Sequence, residues 1–267
     1  MDKPPSQSGG IDSSASAELL RAIPGADGDF LAAALAHPGV TEEHVALITR
    51  SRAASAALLS RISNDPRWNR TYAVRRGLVA NPHTPRNIGM RLAKDLYWRD
   101  LAAVADDATL CAPLRRTAES CLLDRAPELT IGEQISLARI CGPALLPKLL
   151  AASDTRVADA ALSNGRMREA DVVAHIRRSD ARAGTMEVIG GHARWREHYP
   201  VRLALARQPA TPLAISLGLL TTLTPADLRA LASIPELPPL VRRAAERVIA
   251  AGSPGTPDPG TGEPRSA

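Results

Sequence analysis

The sequence predicts an all-α fold, a right-handed α-solenoid of about 16 short helices. Three observations lead there. First, 45% of the 267 residues are hydrophobic, yet only seven are aromatic: Phe30, Trp68, Tyr72, Tyr97, Trp98, Trp195 and Tyr199. A β-sandwich or barrel leans on aromatic and β-branched residues, whereas this chain leans on Ala, Leu and Arg. Second, apolar residues recur at helical spacing between Pro, Asn and Asp punctuation. Third, the chain repeats itself at an offset of 127 residues. Helices of 8 to 14 residues with one apolar stripe cannot bury it alone, so they must stack on neighbours, which is the logic of a solenoid.

Taken in chain order, residues 1–17 are poor in large apolar groups and read as a disordered tail. The first ten residues, ending Gln7-Ser8-Gly9-Gly10, hold no apolar stretch behind a basic one, so no signal peptide is expected. The solenoid spans 18–250, with duplicated copies at about 33–122 and 160–249 and linking helices at about 123–159 that appear once. Between 68–122 and 195–249, 20 of 55 aligned pairs are identical. Trp68, Tyr72, Val74 and Arg75 fall on Trp195, Tyr199, Val201 and Arg202; Asp100 and Leu101 fall on Asp227 and Leu228. Within the copies, Ile88, Leu92 and Leu96, like Ile215, Leu219 and Leu223, share one helical face. Thr84-Pro85, Thr211-Pro212 and Thr224-Pro225 each offer a hydroxyl N-cap followed by a proline at the first helical position. Gly190-Gly191 reads as a helix end. Residues 251–267 hold eight Gly or Pro among 17 positions and read as a second disordered tail.

Charge and cysteine usage narrow the class. The chain carries +5 overall, but the tails sum to −2, which leaves +7 on residues 18–250. Thirty arginines against three lysines point to a GC-rich coding sequence rather than to chemistry. The longest apolar run, Leu213 to Leu223, is about half of the roughly 20 residues that a membrane-spanning helix needs, so no membrane partner is expected. Cys111, Cys121 and Cys141 match neither a zinc knuckle nor a redox pair and read as reduced, buried thiols of a cytoplasmic protein.

Some stretches resemble known repeat families. Asp154-Thr155-Arg156-Val157 followed by Ala160-Ala161-Leu162 is similar to the second helix of a HEAT repeat, and Asp65-Pro66-Arg67-Trp68 with Ala73-Val74-Arg75 is a looser version. Val79 to Pro85 and Leu205 to Pro212 resemble the Ala-Arg-Asn-Pro-Asn-Thr-Pro core of the bacterial leucine-rich repeat variant family. These resemblances imply an α-solenoid. The prototype of the variant family bears an iron–sulfur cluster on N-terminal cysteines, and no Cys precedes Cys111, so the fold carries over and the cofactor does not.

The most distinctive local feature is the duplicated Trp-x-x-x-Tyr-x-Val-Arg. On one helix Trp68 and Tyr72 would share a face with Arg75 and Arg76 beside it, and Trp195 and Tyr199 likewise with Arg202. Such a face is either a recognition surface for a partner, since Trp, Tyr and Arg are enriched at binding hot spots, or a seam plug between helical layers. Arg67, Arg70, Arg75 and Arg76, then Arg177, Arg178 and Arg182, then Arg194, Arg196 and Arg202, would suit a phosphate backbone or simply form solvated faces. Arg115 with Glu119 and Arg242 with Glu246 read as i, i+4 ion pairs. The six histidines show no metal-ligand spacing, and no phosphate-binding glycine loop or nucleophile elbow occurs, so no catalytic residue or cofactor is assigned. The expectation is a non-enzymatic scaffold or adaptor that binds a protein through a concave groove. The alternative is a nucleic-acid-binding protein, such as the alkylpurine DNA glycosylases that use HEAT-like solenoids; a lyase or isomerase on the same scaffold is a third possibility.

Overall fold

The computed structural model describes residues 13–252, and every element among them is helical. The chain divides into two compact units that meet in sequence between Leu145 and Leu146. The first contains α1 (Ser13–Ala22), α2 (Gly28–Ala36), α3 (Glu42–Arg50), α4 (Ala56–Asn64), α5 (Pro66–Asn69), α6 (Tyr72–Ala80), α7 (Arg86–Ala93), α8 (Trp98–Asp106), α9 (Ala112–Arg125) and α10 (Ile131–Ile140). The second contains α11 (Leu146–Leu150), α12 (Thr155–Ser163), α13 (Glu169–Ile176), α14 (Ala183–Gly191), α15 (Tyr199–Arg207), α16 (Leu213–Leu220), α17 (Pro225–Ala232) and α18 (Pro239–Gly252). Sixteen of these 18 helices have 8 to 14 residues, and the short α5 and α11 make up the difference from the expected count. The expected tails overlap α1 and α18 by a few residues; the rest of each tail lies outside the described residues. Among the described residues no helix is long and apolar enough to cross a membrane.

Helix bounds recur between the units at the offset read from the sequence. Adding 127 to the bounds of α2, α4, α6, α7 and α9 gives those of α12, α14, α15, α16 and α18; α3 and α8 agree with α13 and α17 to within one residue. The correspondence therefore reaches back to Gly28 and Thr155. The stretch expected to appear once, 123–159, loses its ends to α9 and α12. Packing corresponds too: α3 on α6, α6 on α7, α7 on α9 and α8 on α9 in the first unit match α13 on α15, α15 on α16, α16 on α18 and α17 on α18 in the second.

No described helix ends on a left-handed glycine. Among the described residues no backbone φ is positive, so the left-handed C-terminal cap that glycine usually supplies is not used. After seven of the helices the next residue is instead extended, and its side chain accepts a hydrogen bond from the N–H two residues on. His37 accepts from Gly39 at 3.0 Å, Asp65 from Arg67 at 2.9 Å, Asn81 from His83 at 2.9 Å and Asp107 from Thr109 at 2.8 Å. In the second unit Asn164, His192 and Gln208 do the same for Arg166, Arg194 and Ala210. Asn81 and Gln208 also reach across a helix pair. The Asn81 amide donates to Thr49 and Ser51 carbonyls at 2.8 Å each, and the Gln208 amide donates to the equivalent carbonyls of Ile176 and Arg178. Orphan carbonyls at the ends of α3 and α13 are thereby satisfied from the ends of α6 and α15.

Two expected caps fall elsewhere. Pro85 and Pro212 are themselves the N-caps of α7 and α16, while the Thr84 and Thr211 hydroxyls donate backwards to the Leu78 and Leu205 carbonyls at 2.6 and 2.7 Å. An unpaired carbonyl at a helix end competes well for a hydroxyl proton, and each Thr so clips two helices together. Thr224 does cap α17, accepting from the Asp227 N–H at 3.2 Å. Gly191 ends α14.

Helices α6 and α3 approach closely at Gly77. A Cβ on Gly77 would lie 2.0 Å from Thr49 Oγ1 and 2.9 Å from Thr49 Cβ, and Thr49 is fixed by donating to the Ala46 carbonyl. Gly77→Ala should therefore destabilise the chain by about 1–3 kcal/mol in denaturant unfolding, while Gly132→Ala on α10, where a Cβ meets nothing within 4 Å, should be neutral or stabilising by up to about 1 kcal/mol.

Candidate functional site

The duplicated Trp-Tyr element does not form one helical face. Trp68 lies in α5 and Trp195 in a one-turn helix, Trp195–Glu197. Thr71 and His198, which precede Tyr72 and Tyr199, are extended, so the chain breaks before α6 and α15 begin. The two rings of each copy are thereby sent to different places. Trp195 is fully buried and Trp68 is 8% exposed. The Trp195 indole N–H donates to the Leu162 carbonyl at the end of α12, 2.9 Å away. Arg67 and Arg194, at equivalent positions, cover the two indoles at 5.1 and 4.3 Å from guanidinium carbon to ring centroid.

The tyrosines tie helices together through their hydroxyls. Tyr72 Oη accepts from the N–H of Tyr97, the N-cap of α8, at 3.0 Å, and donates to the Asp100 carboxylate in the first turn of α8. Tyr199 Oη accepts from the N–H of Thr224, the N-cap of α17, at 3.2 Å, and donates to Asp227 at 2.5 Å. In an ordinary capping box the third helical residue reaches back to the N-cap N–H itself. Here a tyrosine from another helix stands between the two and relays the bond. Each carboxylate is then neutralised by an arginine from the tyrosine's helix: Arg76 Nε lies 2.8 Å from Asp100, and Arg207 Nη2 lies 3.0 Å from Asp227. These arginines are not at equivalent positions. Leu203 stands where α6 has Arg76, and Ala80 stands where α15 has Arg207, so the same charge is met from one helical turn further on.

Burial, with the Asp100 carboxylate behind it, pushes the Tyr72 hydroxyl up to about 12. Hydrogen bonds from Tyr199 and then Thr224 hold the Asp227 carboxyl below its usual range. Tyr97 stacks on Tyr72 with centroids 4.4 Å apart while remaining 67% exposed. Arg202 lies over the Tyr199 ring at 5.6 Å, and Arg75 reaches Asp95 at 3.8 Å.

Several of the remaining arginines are committed. Arg67, Arg178 and Arg196 pair with Asp65, Asp180 and Glu197. Arg194 donates to the Asn164 and Met167 carbonyls at 3.3 Å each. The expected Arg115–Glu119 and Arg242–Glu246 pairs do not form. Both arginines, with Arg75 and Arg202, are half-buried and have an Nε that is shielded from water and unpaired. The half-buried stems are absorbed into packing, a use of arginine that spacing alone does not reveal.

Cys111 is exposed, Cys121 half-buried and Cys141 buried, so only one of the three thiols is buried as expected; none of the three is in a disulfide. Cys111 is the N-cap of α9, and a position at a helix start faces water more readily than one on an apolar stripe. Among the described residues no group of three His, Cys, Asp or Glu is placed to hold a metal ion. His198 instead meets Glu169 at 2.5 Å.

Sequence reasoning missed the partners that give the tyrosines their role. Asp100 and Asp227 were visible as duplicated residues, but 28 positions separate each from its tyrosine. Their helical phase relative to the tyrosine is meaningless once two turns intervene. No protein-family model, curated protein or solved structure matches the chain.

Tyr72→Phe should cost about 1.5–3 kcal/mol, the range for hydrogen bonds to charged groups. A tyrosine raised in the folded state stabilises fully below pH 10 and loses that contribution as pH rises from 10 towards 12. Ultraviolet titration of the folded chain should accordingly show one phenol ionising near 12 that disappears in Tyr72→Phe. Trp195→Ala should cost about 3–5 kcal/mol by cavity formation and loss of the indole's carbonyl contact, with Trp68→Ala costing less; equal, small losses in thermal denaturation would contradict a packing role.

Proposed function

We propose that the chain is a non-enzymatic helical-repeat scaffold, cytoplasmic and HEAT-like, whose two units are copies of one ancestral element. Stacked as a right-handed α-solenoid, they would bind a protein partner along a concave groove. One observation carries this reading. The residues that recur at the 127-residue offset with the same contacts, Tyr72 and Tyr199, Asp100 and Asp227, Thr84 and Thr211, are spent on joining helices. Exposed positions on α7 and α16 have meanwhile diverged in chemistry. Arg86, Asn87 and Arg91 on α7 stand where α16 has Leu213, Ala214 and Gly218, all six exposed. A scaffold keeps its ties and varies its surface; a duplicated catalytic site would keep its exposed groups.

The nucleic-acid reading keeps some support from the +7 carried by residues 18–250. It is weakened by Arg67, Arg75, Arg76, Arg178 and Arg196, each of which lies on a carboxylate. Fluorescence-polarisation titration with duplex and single-stranded DNA at two salt concentrations separates the readings. The scaffold reading expects no tight binding and expects cross-linked capture of a protein from the native host. Tight DNA binding that falls steeply with salt would overturn it.

A further inference from the structure

The first unit has a groove beside a glutamate whose counterpart in the second unit is held by a histidine. In the second unit Glu169, the first residue of α13, is met by His198, the N-cap of α15, at 2.5 Å. The equivalent residues in the first unit are Glu42, the first residue of α3, and Thr71, the N-cap of α6. Among the described residues Thr71 makes no side-chain hydrogen bond to Glu42, and neither Glu42 nor its exposed neighbour Glu43 has an ion-pair partner. Both carboxylates line a groove of about 440 Å³, within the roughly 300–1,000 Å³ typical of ligand sites.

The floor of this groove is apolar. Leu20 of α1 and Leu47 of α3 flank it, and Ala46 and Ala73 stand where the second unit has the larger Val173 and Pro200. At its other end lies Arg50, also exposed and without a carboxylate partner. The groove thus follows α3, with two negative charges at the helix start and a positive charge eight residues on, about 12 Å away at 1.5 Å per residue.

We propose that this groove docks an amphipathic helix of a partner protein, antiparallel to α3, with its acidic first turn on Arg50, its basic last turn on Glu42 and Glu43, and an apolar stripe on Leu20 and Leu47. Charge complementarity sets this choice. Acidic residues favour a helix N-terminus and basic ones a C-terminus, so a helix carrying its charges in the favourable order matches α3 only when it runs the opposite way. A basic side chain from the partner meets Glu42 as His198 meets Glu169 in the second unit. Helix-in-groove docking of this kind is a common mode of peptide recognition.

The proposal rests on the protein-binding reading above but fails separately from it. The probe is an alanine-based helical peptide with Glu in its first turn, Arg in its last and Leu at i, i+3 and i+4 positions between, titrated into the full chain with labelled methyl groups. Saturable shifts at Leu20, Ala46, Leu47 and Ala73 are expected, with binding at least ten-fold weaker for the peptide with Arg first and Glu last. Combining Glu42→Lys, Glu43→Lys and Arg50→Glu should invert that preference, and Thr71→His, which offers Glu42 an internal partner, should weaken binding of the first peptide. Equal binding of both peptides, or no saturable shift at these methyls, overturns the groove assignment. A captured partner whose cross-links fall elsewhere also overturns the groove while leaving the scaffold reading in place.

Discussion

A helix N-terminus presents N–H groups that no earlier carbonyl of the same helix can accept, and in this protein the critical ones are satisfied from another helix. Tyr72 and Tyr199 each place a phenol oxygen between the N-cap N–H and the third-residue carboxylate of α8 and α17. The phenol can do this because it both donates and accepts; a carboxylate in its place would repel the aspartate, and an ammonium could not accept from the amide. Because the ring is rigid, the hydroxyl fixes where the start of α8 lies relative to the start of α6. The intervening α7 and the following α9, which packs on both α7 and α8, then have little freedom left. Arg76 and Arg207 complete the tie by balancing the carboxylate, and they reach it from different turns. Charge at that point is therefore required, while its address on the helix is free.

The same economy governs helix ends. With no left-handed residue among those described, the turns after α2, α4, α6, α8, α12, α14 and α15 are made by an extended residue whose side chain fills in for a backbone acceptor. Asp, Asn, Gln and His all serve, at equivalent positions where identity has been lost: Asp65 corresponds to His192 and Asn81 to Gln208, with hydrogen bonds to the same relative N–H groups. What these residues share is an acceptor atom at the right reach. Side-chain caps also bring the amide of Asn81 or Gln208 close to carbonyls of α3 or α13, so local punctuation and tertiary contact are made by one group.

This explains what could be read from the sequence. Helical class, helix lengths and the 127-residue offset were legible because they depend on periodicity and on short-range signals such as Pro85, Asn81 and Gly191. The face shared by Trp68 and Tyr72 was not, because a single extended residue, Thr71, between them destroys the phase on which the inference relied. The role of Thr84 was misjudged for a related reason. A hydroxyl before a proline can cap the helix ahead or clip the helix behind, and the choice depends on whether the carbonyl at Leu78 is left open. Arg115 and Glu119 had the spacing for an ion pair, yet half-burial of the arginine on its packed face leaves its Nε shielded and unpaired. In each case the residue type was informative and its partner was set by packing.

Correspondence between the units also locates where they have stopped being alike. Where interior ties are equivalent, selection for stability is enough to keep them. At the start of α3 and α13 the acid is retained but its environment is not: His198 occupies Glu169, whereas Thr71 leaves Glu42 facing an apolar groove. A buried or paired acid serves folding, while an exposed unpaired one adds little stability beyond a modest interaction with the helix dipole. Glu42 and Glu43 thus stand beside a hollow lined by Leu20, Ala46, Leu47 and Ala73, and a helix docked there brings a basic group to them. Of these two helix starts only this first glutamate is shared, Glu43 and His44 standing where α13 has Ala170 and Asp171, so its change of partner from His198 to none among the described residues marks where the two units part.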